Sequence, residues 1–195
     1  MLSTKSQLPV LFFSAVTMCG AGELQIDFEN HLPLWRVSSG DNGGGGSSEL
    51  RARSGVDESV GLVWKYDLGE KPGAGVYSRI AINLELPTDS VMMSFMMYGD
   101  NSLAKFGLRL RDATGRVWQQ SLPEINWTGW REIKIELKPA GYAWGGKARE
   151  DGGFTYPITL AEMMIDHAED HPLNRVRGEV RLDRFVFSEI DVAEF

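Results

Sequence analysis

From Leu24 onward, apolar and polar residues alternate with a period of two, in short runs separated by Gly, Asn, Asp and Pro. A strand turns successive side chains to opposite faces, so this period predicts half-buried β-strands following one another along the chain. Leu24, Ile26 and Phe28 share one face, with Gln25, Asp27 and Glu29 on the other. Further strands are predicted over 48–53, 60–68, 76–86, 91–98, 106–110, 116–122, 133–137, 158–166 and 180–190. The stretch 91–98 is apolar on both faces, which suits a central strand covered above and below. Phe106, Leu108 and Leu110 point one way and Lys105, Arg109 and Arg111 the other, and a turn at 112–115 folds this strand onto the next as a hairpin. Four successive glycines, Gly43 to Gly46, predict a flexible loop over 41–46, and 139–157 reads as a long loop rich in glycine and aromatics.

No stretch makes an amphipathic helix longer than two turns, and strands do not alternate with helices. That pattern predicts an all-β, two-sheet β-sandwich rather than an α/β fold. The length of 195 residues suits one such domain, and 43% hydrophobic with 24% charged residues is the composition of a folded chain. A net charge of −7 with no run of Lys and Arg argues against nucleic acid or an anionic membrane surface as partner. Lys5, the apolar run 8–18 and the small residues Gly20, Ala21 and Gly22 predict a signal peptide over 1–21, leaving 22–195 as a secreted or periplasmic domain. The run is shorter than the roughly 20 residues a spanning helix needs, and no later stretch is longer, so no membrane span is expected. The single cysteine, Cys19, lies in this leader, and the bulky Met18 before it disfavours a lipoprotein anchor there.

Several patches, taken in order, resemble the galactose-binding-like jelly rolls that serve secreted bacterial glycoside hydrolases as carbohydrate-binding modules. They are Asp27-Phe28-Glu29, Tyr98-Gly-Asp-Asn101, the run from Leu108 to Gly115, Asn126-Trp-Thr-Gly-Trp130, Trp144-Gly-Gly146, Asp151-Gly152, Tyr156-Pro157 and Leu182-Asp183. The resemblance implies a jelly-roll sandwich, a polysaccharide or oligosaccharide as ligand and, often, one structural calcium. With no hydrolase domain in the sequence, any enzyme it serves would be a separate glycoside hydrolase chain.

Sugar recognition needs flat aromatic faces for stacking and planar polar side chains that bond pairs of hydroxyls. Tyr98, Arg109, Arg111, Tyr142 and Trp144 supply both and are the expected carbohydrate-binding residues, whereas Trp127 and Trp130 read as packing residues and Trp118 as ambiguous. Glu29 in the first strand and Asp183 in the last become neighbours if the terminal strands pair, and are the expected calcium ligands, with carbonyls of the glycine-rich loop completing the shell. A structural or protein-interaction sandwich that binds no sugar is the alternative.

Catalysis has a weaker basis. Residues 189–194, Glu-Ile-Asp-Val-Ala-Glu, resemble the catalytic strand of laminarinase-like hydrolases, with Glu189 and Glu194 as the carboxylates, but only Phe195 follows where a cleft would have to be built. His167 and His171 are four apart but lack a third ligand, and Pro172 follows directly, so they read as a polar loop. The glycine run lacks the Lys and Ser or Thr of a phosphate-binding loop. A non-catalytic binding module is therefore expected.

Overall fold

The computed structural model describes residues 17–18, 23–29, 35–87, 90–167 and 173–188. Two antiparallel sheets face one another, as the period-two pattern predicts. Sheet I is built around the twelve-residue β13 (Arg177–Ser188), which pairs on one side, from Arg181 onward, with β7 (Met92–Asp100). Its other side takes β5 (Gly61–Asp67) along the first half and β2 (Leu24–Ile26) along the second. Beyond these lie β10 (Thr128–Glu136) on β7, β4 (Gly45–Arg51) on β5, and the two-residue β1 (Thr17–Met18) on β2. Sheet II runs β11 (Tyr142–Trp144), β9 (Val117–Leu122), β8 (Lys105–Arg111), β12 (Thr159–Asp166), β6 (Tyr77–Glu85) and β3 (Arg36–Ser39). The strand β2, predicted as the first, pairs with the last, β13, which meets the condition for Glu29 and Asp183 to be neighbours.

The inward faces are those that the alternation marks. Phe106, Leu108 and Leu110 from sheet II meet Leu62, Trp64 and Leu182 from sheet I in one core. Phe28, Trp35, Phe95 and Phe185 close one part of it, with Phe95 and Phe185 stacked at 5.0 Å and 11°. The indole N–H of the fully buried Trp64 donates to Ser78 Oγ at 2.9 Å and ties the sheets together with a bond that no water could replace.

Three features differ from expectation. The glycine run is ordered: Gly43 bridges Gly40, and β4 starts at Gly45. A Cβ on Gly44 would stand 2.4 Å from the Tyr77 carbonyl oxygen, and one on Gly46 would stand 1.9 Å from that of Lys65. These glycines permit close backbone approach where the chain crosses from sheet II to sheet I. Strands β3 and β11 were not expected, because three or four residues carry too little alternation to register. The strand β7 is central between β10 and β13 but covered on one side: Met93, Phe95 and Met97 are buried, while Met92, Met96 and Tyr98 are half-buried on the outer face.

Of the expected leader, Thr17 and Met18 pair with Gln25 and Leu24, and the rest lies outside the described residues. So do Glu189, Glu194 and His171.

Candidate functional site

Strand register brings side chains from all six strands of sheet II into one row on its outer face. Arg36, Ala81, Glu162, Arg109, Gln119 and Tyr142 stand side by side. The neighbouring row holds Thr159, Arg111, Val117 and Trp144. A depression of about 610 Å³ lies over these rows, lined by the expected residues Arg109, Arg111, Tyr142 and Trp144 together with Arg79 and Glu162.

Arg109 forms the floor. Its Nε donates to Gln119 Oε1 at 2.8 Å and its Nη1 to Glu162 Oε1 at 2.5 Å, while Tyr77 Oη accepts a longer bond at 3.4 Å. The guanidinium carbon lies 5.1 Å from the ring centres of both Tyr77 and Trp144, within cation–π range. Burial works against the charge, but the hydrogen bonds to Tyr77 and Glu162 prevail and raise the pKa of Arg109 above its ordinary value. Arg79 reaches the second oxygen of Glu162 at 3.4 Å and donates from Nε to Ser38 Oγ. Arg111 differs: it is exposed, and among the described residues its side chain makes one bond, from Nη2 to Asn83 Oδ1 at 2.7 Å.

The aromatic wall stands on β11, the edge strand beside β9. Its position depends on glycine, since a Cβ on Gly141 would fall 2.1 Å from the Gln119 carbonyl oxygen and one on Gly146 would fall 2.2 Å from the Arg116 nitrogen. Arg116 Nη1 donates to the Gly145 carbonyl, and Lys147 N donates to Thr114 Oγ1, fastening the segment to the β8–β9 turn. On this anchored strand Tyr142 and Trp144 stack at 5.3 Å and 29°, and Tyr142 is 71% exposed. A large aromatic held this open by a rigid edge offers its face to a ligand.

Tyr98 stands apart from this group. It lies on the outer face of sheet I, edge-on to Trp130 at 5.6 Å and beneath Arg181. Trp118 and Trp127 are buried, Trp118 against Phe154 and Trp127 with its N–H directed at the Met97 carbonyl. Sequence reasoning missed Tyr77, Arg79, Gln119 and Glu162. The signal for Glu162 was an acid in the middle of an apolar run, between Leu160-Ala161 and Met163-Met164-Ile165.

Glu29 and Asp183 do converge, on the loop 55–60 that fills the gap between β5 and β2. Asp183 Oδ2 accepts from Val56 N at 2.8 Å and Ser59 Oγ at 2.7 Å, its Oδ1 accepts from Arg184 N, and Glu29 Oε1 accepts from Val60 N. Burial raises the Asp183 pKa, and the bonds from Ser59, Val56 and Arg184 offset that in part. Calcium wants six to eight oxygens with lone pairs free, whereas these carboxylates face N–H and O–H donors. The glycine-rich stretch lies at the opposite end of the β4–β5 pair, where Gly45 opposes Asp67, and so cannot contribute its carbonyls. The pair as placed fits a hydrogen-bonded loop clamp rather than a calcium centre.

No protein-family model matches the sequence, and no curated protein matches it. Among solved structures, the chain is similar to the family 11 carbohydrate-binding module of the cellulosomal cellulase Lic26A-Cel5E of Clostridium thermocellum, at 16% identity and a TM-score of 0.58, over 88% of this chain and 97% of that one. It is also similar to the family 11 module from Clostridium thermocellum in complex with a β-1,3-1,4-mixed-linked tetrasaccharide, at 17% identity and a TM-score of 0.56, over 88% and 98% of the two chains. A carbohydrate-binding module of the β-sandwich superfamily, described for its promiscuous specificity, matches at 13% identity and a TM-score of 0.53, over 84% of this chain and 60% of that one. Two facing antiparallel sheets, paired terminal strands and this near-complete overlap agree, and the chain has the jelly-roll β-sandwich fold of carbohydrate-binding modules.

Proposed function

We propose that the chain is a non-catalytic carbohydrate-binding module that holds a glycan in the depression on the outer face of sheet II. The observation that carries this reading is the exposed Tyr142 stacked on Trp144, on an edge strand anchored beside the outward donors of Arg111. A pyranose ring presents an apolar face to an aromatic and hydroxyls at its rim, so one ring stacks on the wall while Arg111 and Gln119 reach its hydroxyls. The similar family 11 module taken with a tetrasaccharide supports an oligosaccharide as ligand. Against catalysis, the one carboxylate in the central row, Glu162, has its oxygens taken by Arg79 and Arg109.

Export with removal of 1–21 belongs to this reading, since a polysaccharide binder works outside the cell, as does a separate glycoside hydrolase chain as its companion. N-terminal sequencing of exported material is expected to begin near Gly22 or Glu23, and an intact Met1 end would overturn the export. For the binding itself, Trp144→Ala is the test, read by a glycan array on the parent and titration of its hits. Truncating an aromatic at the centre of a binding site costs about 2 kcal/mol, or roughly thirtyfold in affinity. Melting is expected to shift little. A variant that stays folded and binds as the parent does moves the ligand face elsewhere.

A further inference from the structure

The charges in the depression point to a class of glycan. Arg79, Arg109 and Arg111 line it with Asp41 and Glu162, three cations to two carboxylates, in a chain whose net charge is −7. Their pairing is uneven. Glu162 is shared by Arg79 and Arg109, and Asp41 Oδ1 accepts from the Tyr77 hydroxyl at 3.3 Å. Arg111 makes no ion pair among the described residues, Glu85 standing two strands away in the same row, and its bond to Asn83 occupies one N–H of the five a guanidinium carries. The remaining donors face the depression in a fixed planar fork, which matches the oxygens of a carboxylate or sulfate better than single hydroxyls.

Position strengthens the point. Arg111, Val117 and Trp144 lie in one row on consecutive strands, so Arg111 and Trp144 are separated by two strand spacings, about 10 Å. A sugar ring stacked on Trp144 therefore sets the next part of the glycan over Arg111. With Arg79 and Arg109 sharing Glu162, the charge of Arg111 makes its end of the depression locally positive on an acidic protein, which favours an anionic ligand there.

We propose that the depression selects an anionic glycan, its charge carried by a uronate carboxylate or a sulfate ester and received by Arg111. This rests on the glycan-binding reading above and names the chemical class of its ligand. The test compares ligands that differ in charge alone. The full chain without its leader is titrated with oligogalacturonate and its methyl ester, with a sulfated galactan oligosaccharide and its desulfated form, and with a neutral mixed-linked glucan oligosaccharide. At least one charged ligand is expected to bind about tenfold tighter than its neutral counterpart, the step that one charge-assisted pair supplies, and the pair that shows it assigns carboxylate or sulfate. The ratio is expected to shrink as salt rises and to fall to near one in Arg111→Gln, whatever that variant does to absolute affinity. Equal affinities within both pairs, insensitive to salt, overturn the inference and leave glycan binding standing if the neutral ligands bind. Failure of every glycan to bind the folded protein overturns the glycan-binding reading itself.

Discussion

Replacing Arg109 by Met keeps a long unbranched side chain on β8 and removes the charge with its donors. The Arg109 and Glu162 side chains are 12% and 15% exposed and meet at 2.5 Å. Removing one member of a well-buried pair costs about 3–5 kcal/mol, because the other is left as a lone charge. Here Glu162 keeps Arg79 at 3.4 Å, and the pair still touches water at the floor of an open depression. Both facts reduce the cost, while the lost cation contacts with Tyr77 and Trp144 add back about 0.5–1 kcal/mol each. The balance is a destabilisation of about 2–3 kcal/mol, or a fall of about 4–12 °C in Tm for a domain of this size. Urea unfolding followed by tryptophan fluorescence measures it. A double-mutant cycle with Glu162→Gln isolates the pair, where a coupling of about 1–2 kcal/mol is expected. Glycan affinity should fall as well, since Trp144 loses the guanidinium beneath it. Stability within about 0.5 kcal/mol of the parent together with no coupling would refute the reasoning, for it would mean that water already solvates both charges.

Gly46→Ala is expected to destabilise by more than about 2 kcal/mol, because φ of +136° disfavours any side chain and the added Cβ would meet the Lys65 carbonyl oxygen at 1.9 Å; a chemical denaturation curve superimposable on the parent's would contradict it. Burial raises the pKa of Asp183 above its ordinary 3.8, so the native state binds more protons than the unfolded chain between those two values. Stability from this group therefore falls as pH rises through that window, and denaturation between pH 4 and 7 should show the slope in the parent and lose it in Asp183→Asn. The same carboxylate should leave melting unchanged by chelator or added calcium, while a fall with chelator that calcium reverses would place a cation on Glu29 and Asp183.

Much of the architecture was legible along the chain. A period of two needs no tertiary information, because strand geometry alone sends Phe106, Leu108 and Leu110 to one face and Arg109 and Arg111 to the other. The hairpin at 112–115 and the sandwich followed from the same pattern and its resemblance to binding modules, while the pairing of β2 with β13 stood only as a condition. Which sheet a strand joins is not written in its period. Tyr98 and Tyr142 look alike in sequence, yet β7 entered sheet I and β11 entered sheet II, so Tyr142 reached the depression and Tyr98 did not. Glu162 shows the limit most sharply: counted by twos from the buried Leu160 it belongs in the core. The register shift between Leu160 and Glu162 inserts one residue, turns Glu162 outward onto Arg109, and lets Met163 and Ile165 take the inward places. A bulge is chosen by the neighbouring strands β6 and β8, which must keep their own pairing, and so only the assembled sheet could decide it.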